Sequence, residues 1–284
     1  GEGKYIYEDG KYYIGQFIAN LPNGKGKMYD KNGNIKYEGD WVNYKREGNG
    51  KNYNDNGTYY IGQWKNNKKN GNGTLYNPMG GIIYDGEWIN GKKEGIGKSY
   101  NYDGTFYDGQ WKNDSKNGKG KLYNEKKYLL YEGDWVNGIK EGNGKYNYLD
   151  GSYYIGQWKN DLRNGKGTLY YKNGIINYDG DWIDDKREGN GNHFYDDELL
   201  YIGRWKNDLE NGNGKIYDKK GNIIYEGDIV NGKKEGKGKY IDEDGAYYIG
   251  HWDNNKKNGT GTLYDKNGNI LYDGNWINNI RKGD

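Results

Sequence analysis

The sequence predicts an all-β fold: an elongated, single-layer antiparallel β-meander of tandem β-hairpins, twisted and curved into a rod. Three observations predict it. A Tyr-x-Gly-x-Trp pattern recurs at a fixed period through the whole chain. Its marked residues stand at i, i+2 and i+4, the two-residue period of a strand. Gly and turn residues punctuate every period, and apolar residues nowhere recur at the three-and-four spacing of a helix.

The period comes first, because repeats decide the architecture before any domain boundary does. The pattern begins at Tyr37, Tyr60, Tyr84, Tyr107, Tyr131, Tyr154, Tyr178, Tyr201, Tyr248 and Tyr272. Two degenerate copies complete the series, Tyr13 with Phe17 in the Trp place and Tyr225 with Ile229. The twelve starts are spaced 24, 23, 24, 23 without exception. Seven residues after each aromatic comes a Gly, and in all but the last copy a second follows two further on, as in Gly48 and Gly50. The working unit is therefore a 47-residue pair with two flavours. One reads Tyr60-Ile61-Gly62-Gln63-Trp64 with Asn70 before Gly71-Asn72-Gly73; the other reads Tyr131-Glu132-Gly133-Asp134-Trp135 with Glu141 before Gly142-Asn143-Gly144. Their one-residue difference is expected in a turn, since Gly33 stands four residues before Tyr37 and Gly57 three before Tyr60. No linker interrupts the series, so residues 1–284 read as one continuous array.

Strand alternation puts Tyr37, Gly39 and Trp41 on one face and Glu38 and Asp40 on the other. Gly inside a strand marks the close approach of another group. Here it predicts that large rings lie across the Cβ-less positions of a neighbouring strand. Asn90-Gly91, Asn137-Gly138 and Asn231-Gly232 fit tight hairpins, as do Asp103-Gly104 and Asp150-Gly151. About 24 strands result, each hairpin stabilised by its neighbours as in solenoids.

Composition agrees and excludes other classes. Aliphatic residues are few and 30% of the chain is charged, but aromatics reach 17% and supply a thin core. Forty-three Lys plus Arg against 41 Asp plus Glu leave a net charge of +2. That balance lacks the basic footprint of a nucleic-acid binder, so Tyr, Gly and Trp read as core rather than a base-stacking platform. No apolar run approaches a membrane span. The absence of Cys fits a cytoplasmic setting. Gly1-Glu2-Gly3 opens in the middle of a repeat, which suggests a fragment of a longer protein.

These residues resemble the MORN repeat family. The stretch Tyr131-Glu132-Gly133-Asp134-Trp135-Val136-Asn137-Gly138-Ile139-Lys140-Glu141-Gly142-Asn143-Gly144 matches the family pattern nearly throughout, and the resemblance covers the whole chain. It implies an elongated, curved sheet that acts as a scaffold in cytoskeletal or membrane-associated assemblies. It further implies binding of helical or extended partner segments along a groove, dimerisation and, for some members, phosphoinositide binding. Departures are Phe17, Ile229, Tyr44 and Asp185 in turn-Gly places, and Glu198 where a turn Gly would stand. Choline- or glucan-binding repeats are of similar length but run aromatic residues together around a Gly-Trp start, and WD-type blades have a period near 47 but would not split into equal halves, so both fit less well.

Chemistry is sparse. Two His (His193, His251), three Ser (Ser99, Ser115, Ser152) and no Cys offer no convergent nucleophile and base. The carboxylates Glu38 with Asp40 and Glu132 with Asp134 recur every 47 residues and read as cross-strand partners of Lys25, Lys27 and their equivalents. Asp265-Lys266-Asn267-Gly268-Asn269 lacks the sixth-position Gly and closing Glu of a calcium loop and reads as a hairpin turn. No catalytic, cofactor or metal site is expected. The candidate partner-binding residues are aromatics left over after the core is counted, Tyr59, Phe106, Tyr153 and Tyr247, with the rim of Trp64, Trp111 and Trp158. A phosphoinositide-binding module, or a spacer for a catalytic domain, is the alternative reading. The unpaired end strands of an open meander predict self-association into a homodimer.

Overall fold

A computed structural model describes residues 1–195 and 198–283; Asp284, with which the expected array closes, lies outside the described residues. The chain divides into two units, Gly1–Ile139 and Lys140–Asp284. Both are built of β-strands, 25 among the described residues, with no helix there. Within each unit the strands pair antiparallel in chain order as an open sheet of tandem hairpins.

One hairpin explains the rest. Strand Tyr59–Lys65 returns through Asn66-Asn67 into strand Lys68–Tyr76. Both turn residues have positive φ, 47° and 67°, the geometry of a two-residue hairpin that Asn tolerates. Further along the pair, Gly62 stands opposite Gly73. The Tyr60 ring lies flat over both, and its hydroxyl donates to the Gln63 carbonyl at 3.1 Å. A Cβ on Gly73 would occupy the space of the Tyr60 hydroxyl and ring, and one on Gly62 would collide with the Gly73 Cα. The expectation of rings laid across bare positions is thus met. The ring also covers the glycine two places along its own strand.

The first Gly of each Gly-x-Gly has a different task. Gln63 stands between the Gly62–Gly73 and Trp64–Lys69 pairs and faces a bulge around Gly71, whose φ of 96° is left-handed. The Gln63 side chain closes the bulge by accepting the Asn72 N–H at 2.8 Å. Asp40 and Glu87 do the same for Asn49 and Ile96 in the other flavour.

Tryptophan joins consecutive hairpins. The Trp64 indole N–H donates to the Gly50 carbonyl of the preceding hairpin at 3.2 Å, and Trp88 reaches Gly73 in the same way at 2.9 Å. An indole meets two tyrosines edge-on: Trp64 lies 5.4 Å from Tyr60 and 5.4 Å from Tyr37. The rings alternate as a ladder through Tyr13, Trp41, Tyr37, Trp64, Tyr60 and Trp88. Such edge-to-face pairs add about 0.5–1.5 kcal/mol each beyond the area they bury. All ten Trp and eleven of the pattern tyrosines are buried, and among the described residues the one buried aliphatic side chain in the ladder is Ile229, which interrupts it in the second unit.

Two local expectations are corrected. The extra residue of the 24-residue flavour lies in a strand, not a turn. Leu75 pairs with Tyr84 and Tyr76 with Ile82, which leaves Ile83 as a β-bulge, while the adjoining loops of both flavours close alike. Asp103-Gly104 closes a wider loop than a two-residue hairpin, through Asn101 N–H to the Thr105 carbonyl at 2.9 Å, with Gly104 at φ 82°. Asp265-Lys266-Asn267-Gly268-Asn269 is the expected turn, the Asp265 carboxylate accepting the Asn267 and Asn269 N–H groups. Glu198 stands opposite Tyr195 as a strand residue, where a turn Gly was expected.

Gly73→Ala displaces the Tyr60 ring and is expected to cost about 2–4 kcal/mol, against about 1 kcal/mol for Gly91→Ala, where only the left-handed φ opposes the new side chain. Urea midpoints of the two variants check this. Deleting Ile83 converts one repeat to the 23-residue flavour and leaves the fold within about 1 kcal/mol, whereas deleting Asp85 slips every side chain of its strand to the wrong face and unfolds that hairpin. Circular dichroism and hydrogen exchange distinguish the two outcomes.

Candidate interaction surface

The structure separates the expected partner-binding residues onto opposite faces. Trp64, Trp111 and Trp158 belong to the ladder and are 6–7% exposed, so they are core and offer almost no rim. Tyr59, Phe106, Tyr153 and Tyr247 lie on the other face, half-buried. Each stacks on the residue opposite it, Tyr76, Tyr123, Tyr170 or Tyr264, with centroids 4.6–4.8 Å apart. Lys51, Lys145 and Lys239 sit over Tyr59, Tyr153 and Tyr247. These pairs recur at 47 residues or twice that, with Leu200 in the skipped place, and lie on the face opposite the ladder.

The outer face also carries the expected charge pairs. Lys25 pairs with Asp40, Lys27 with Glu38 at 3.3 Å and Lys121 with Glu132 at 3.2 Å. They are well exposed and add little stability, about 0–1 kcal/mol each.

The ladder face carries a recurring cation. Nine residues after each pattern Tyr stands Arg46, Lys69, Lys93, Lys116, Lys140, Arg163, Arg187, Lys234, Lys257 or Arg281; the exceptions are Pro22 and Glu210. The hairpin places this residue directly opposite the indole, as Lys69 opposite Trp64. Its stem then runs over the rings. Lys69 Nζ lies 5.0 Å from the Tyr60 centroid and 4.5 Å from that of Trp88, and the Arg163 guanidinium 4.2 Å from that of Trp182. Cation–π contacts of this kind contribute about 0.5–2 kcal/mol.

The next turn holds the cation's backbone. Asn67 accepts the Arg46 N–H at 2.9 Å, Asp114 that of Lys93 at 2.8 Å and Asp208 that of Arg187 at 2.9 Å. Asp185, in a turn-Gly place, does likewise for Arg163 and binds its guanidinium at 3.0 Å. Tyr44, the other such departure, meets the Tyr5 ring edge-on. Burial pushes the ammonium groups of Lys69, Lys93, Lys234 and Lys257 below the ordinary lysine value. None of these four has a carboxylate within 4 Å among the described residues. Carboxylates act on them only from farther away, Asp114 on Lys69 and Lys93 and Asp242 on Lys234 and Lys257.

The catalytic candidates remain scattered. His251 Nδ1 lies 3.2 Å from the Thr260 carbonyl on the outer face, and His193 faces Tyr201 on the ladder face. No group of three or more His, Cys, Asp or Glu suited to a metal occurs among the described residues.

The chain was compared with known proteins. Among solved structures, the crystal structure at 1.35 Å of a protein of unknown function from Bacteroides caccae aligns at 12% identity over 92% of this chain and 93% of its own, with a TM-score of 0.17, too low to carry any inference. No curated protein matches. The family model for the MORN repeat, a non-catalytic repeat generally serving protein or membrane interaction, matches residues 13–35, 37–59, 60–82, 84–106, 107–125, 131–153, 154–176, 178–197, 201–223, 225–247, 248–270 and 272–283. Together these stretches span nearly the whole chain, in register with the ladder. The chain belongs to the MORN repeat family.

Proposed function

We propose that this chain is a non-catalytic scaffold that binds partner protein segments along its ladder face, through the row of cations rather than through exposed rings. The supporting observation is the recurrence of a half-buried cation in all but two repeats, four of them with no carboxylate within 4 Å among the described residues. A segment presenting carboxylates at the repeat spacing, about 9–10 Å for two strands, would pair with cations already partly desolvated and held by ring and turn. A segment in the extended polyproline II conformation, with three residues per turn and about 3.1 Å rise each, meets that spacing with an acidic residue at every third position, all on one side. A cytoplasmic assembly at the cytoskeleton or a membrane is the setting proposed for such a scaffold, with self-association through end repeats an added feature.

The same cations favour a second reading, binding of phosphoinositide headgroups at a membrane surface. Both readings are tested with Lys69→Met/Lys93→Met, which keeps an unbranched stem over the rings and removes the charges. On an array of extended peptides, wild type should retain those with an acidic residue at every third position, with affinity falling as salt rises, and the variant should bind them about tenfold more weakly. Equal binding by wild type and variant overturns the cation row as the contact surface. Flotation of wild type but not the variant with phosphoinositide vesicles, in the absence of peptide binding, would transfer the assignment to the membrane.

A further inference from the structure

One contact is replaced as a whole. In a regular repeat the cation nine residues after a Tyr covers that Tyr and the next repeat's indole, as Lys69 covers Tyr60 and Trp88, and Lys257 covers Tyr248 and Trp276. At Tyr201 both partners change: Ile229 stands in the Trp place and Glu210 in the cation place. The other position without a cation, Pro22, carries no charge and keeps its indole, Trp41. An acid therefore appears only where the cation and its indole are lost together.

Packing alone does not call for a carboxylate here. Ile229 is fully buried and would be served by an apolar side chain or a lysine stem. Glu210 instead stands opposite Trp205, with its side chain 23% exposed. Among the described residues its nearest basic neighbour is His193, Nδ1 to Oε1 3.9 Å, too long for a hydrogen bond. His193 is directly opposite Tyr201 and meets Trp205 edge-on at 5.8 Å. The Tyr201 ring, an imidazole and a carboxylate thus surround the place where neighbouring repeats keep their own ammonium or guanidinium, while the Trp205 ring already carries Arg187 at 4.2 Å.

We propose that this place takes a cation in trans: an arginine or lysine side chain of a bound protein segment, seated over Tyr201 and paired with Glu210. It deepens the scaffold reading and rests on it. A segment lying along the row would meet cations at Arg187 and Lys234 and an acid between them. One basic residue flanked by acidic ones fits that sequence of charges in a single register. Glu210 is then a specificity residue that fixes where along the array the segment sits.

The test uses the full chain and N-acetyl-arginine amide, with the Trp indole N–H resonances as readout and the uncharged citrulline analogue as control. The expected result is a saturable shift of the Trp205 signal with the arginine compound and none with citrulline, weakened about tenfold or more in Glu210→Gln. Glu210→Lys restores the missing cation in cis; it should abolish the shift and raise Tm by about 1–3 °C. A Trp205 response equal for arginine and citrulline, unchanged by Glu210→Gln, or absent overturns the proposal. So does a folded Glu210→Lys protein with a lowered Tm. Because the probe is a single capped amino acid, its failure leaves binding of acidic peptides by the cation row to stand or fall by its own test.

Discussion

A tyrosine ring lying on a pair of glycines is the contact on which this structure depends. An open sheet of hairpins has no opposing layer to bury its side chains, so the core must lie down on the sheet itself. Tyr60 can do so because Gly62 and Gly73, opposite one another, present no Cβ, and because its hydroxyl ends on the Gln63 carbonyl within the same strand. The indole then finds its place by elimination: it stands on the flattened Tyr edge-on and reaches back to the preceding Gly carbonyl. Every hairpin is thereby completed by its neighbour. That is why a 23-residue unit with so few aliphatic residues folds only in series.

The same economy accounts for what is exposed. With the rings sealed beneath lysine and arginine stems, the ladder face presents charge, not aromatic surface. Cation and ring support each other, and the turn of the next hairpin, through Asn67, Asp114 or Asp208, pins the cation's backbone. A surface so ordered before any partner arrives loses little entropy on binding, and part of the desolvation cost of its ammonium groups is already met in the fold. On the scaffold reading proposed above, recognition on such a face would be a matter of charge spacing, and a single inverted charge such as Glu210 would alter the register that fits.

Much of this was legible in the sequence, for a physical reason. Strand alternation assigns faces without ambiguity, and a Gly between Tyr and Trp has few explanations other than a ring above it. The place of the extra residue was not legible, because an insertion at Ile83 gives the same spacing whether it widens a loop or bulges a strand. The cation row was also hidden. Tyr60 and Lys69 are an odd number of residues apart, which along one strand means opposite faces; only the hairpin turn brings Lys69 opposite Trp64 and onto the ladder face. The rim of Trp64, Trp111 and Trp158 failed as an expectation because exposure depends on the neighbouring hairpin and on the lysine above, which no single repeat reveals. Tyr59, Phe106, Tyr153 and Tyr247 were rightly left over from the ladder, and the structure gives them ring partners of their own.

The ladder makes a direct spectroscopic claim. Burial pushes phenols such as Tyr37, Tyr60, Tyr107, Tyr154 and Tyr178 well above the ordinary value of 10, and Tyr248 up to about 12. A group whose folded pKa exceeds its unfolded one stabilises the fold fully below the unfolded value, and that contribution is lost as pH climbs through the folded one. Stability should therefore be insensitive to these phenols below about pH 10 and fall steeply above it. An ultraviolet titration of the 34 tyrosines, followed alongside circular dichroism, measures this directly. The structure predicts two phases: the exposed tyrosines ionise first, with the sheet intact, and the ladder tyrosines ionise only as the sheet unfolds. Ionisation of all of them in one step near pH 10, with the circular dichroism unchanged, would contradict a core made of tyrosines resting on glycine.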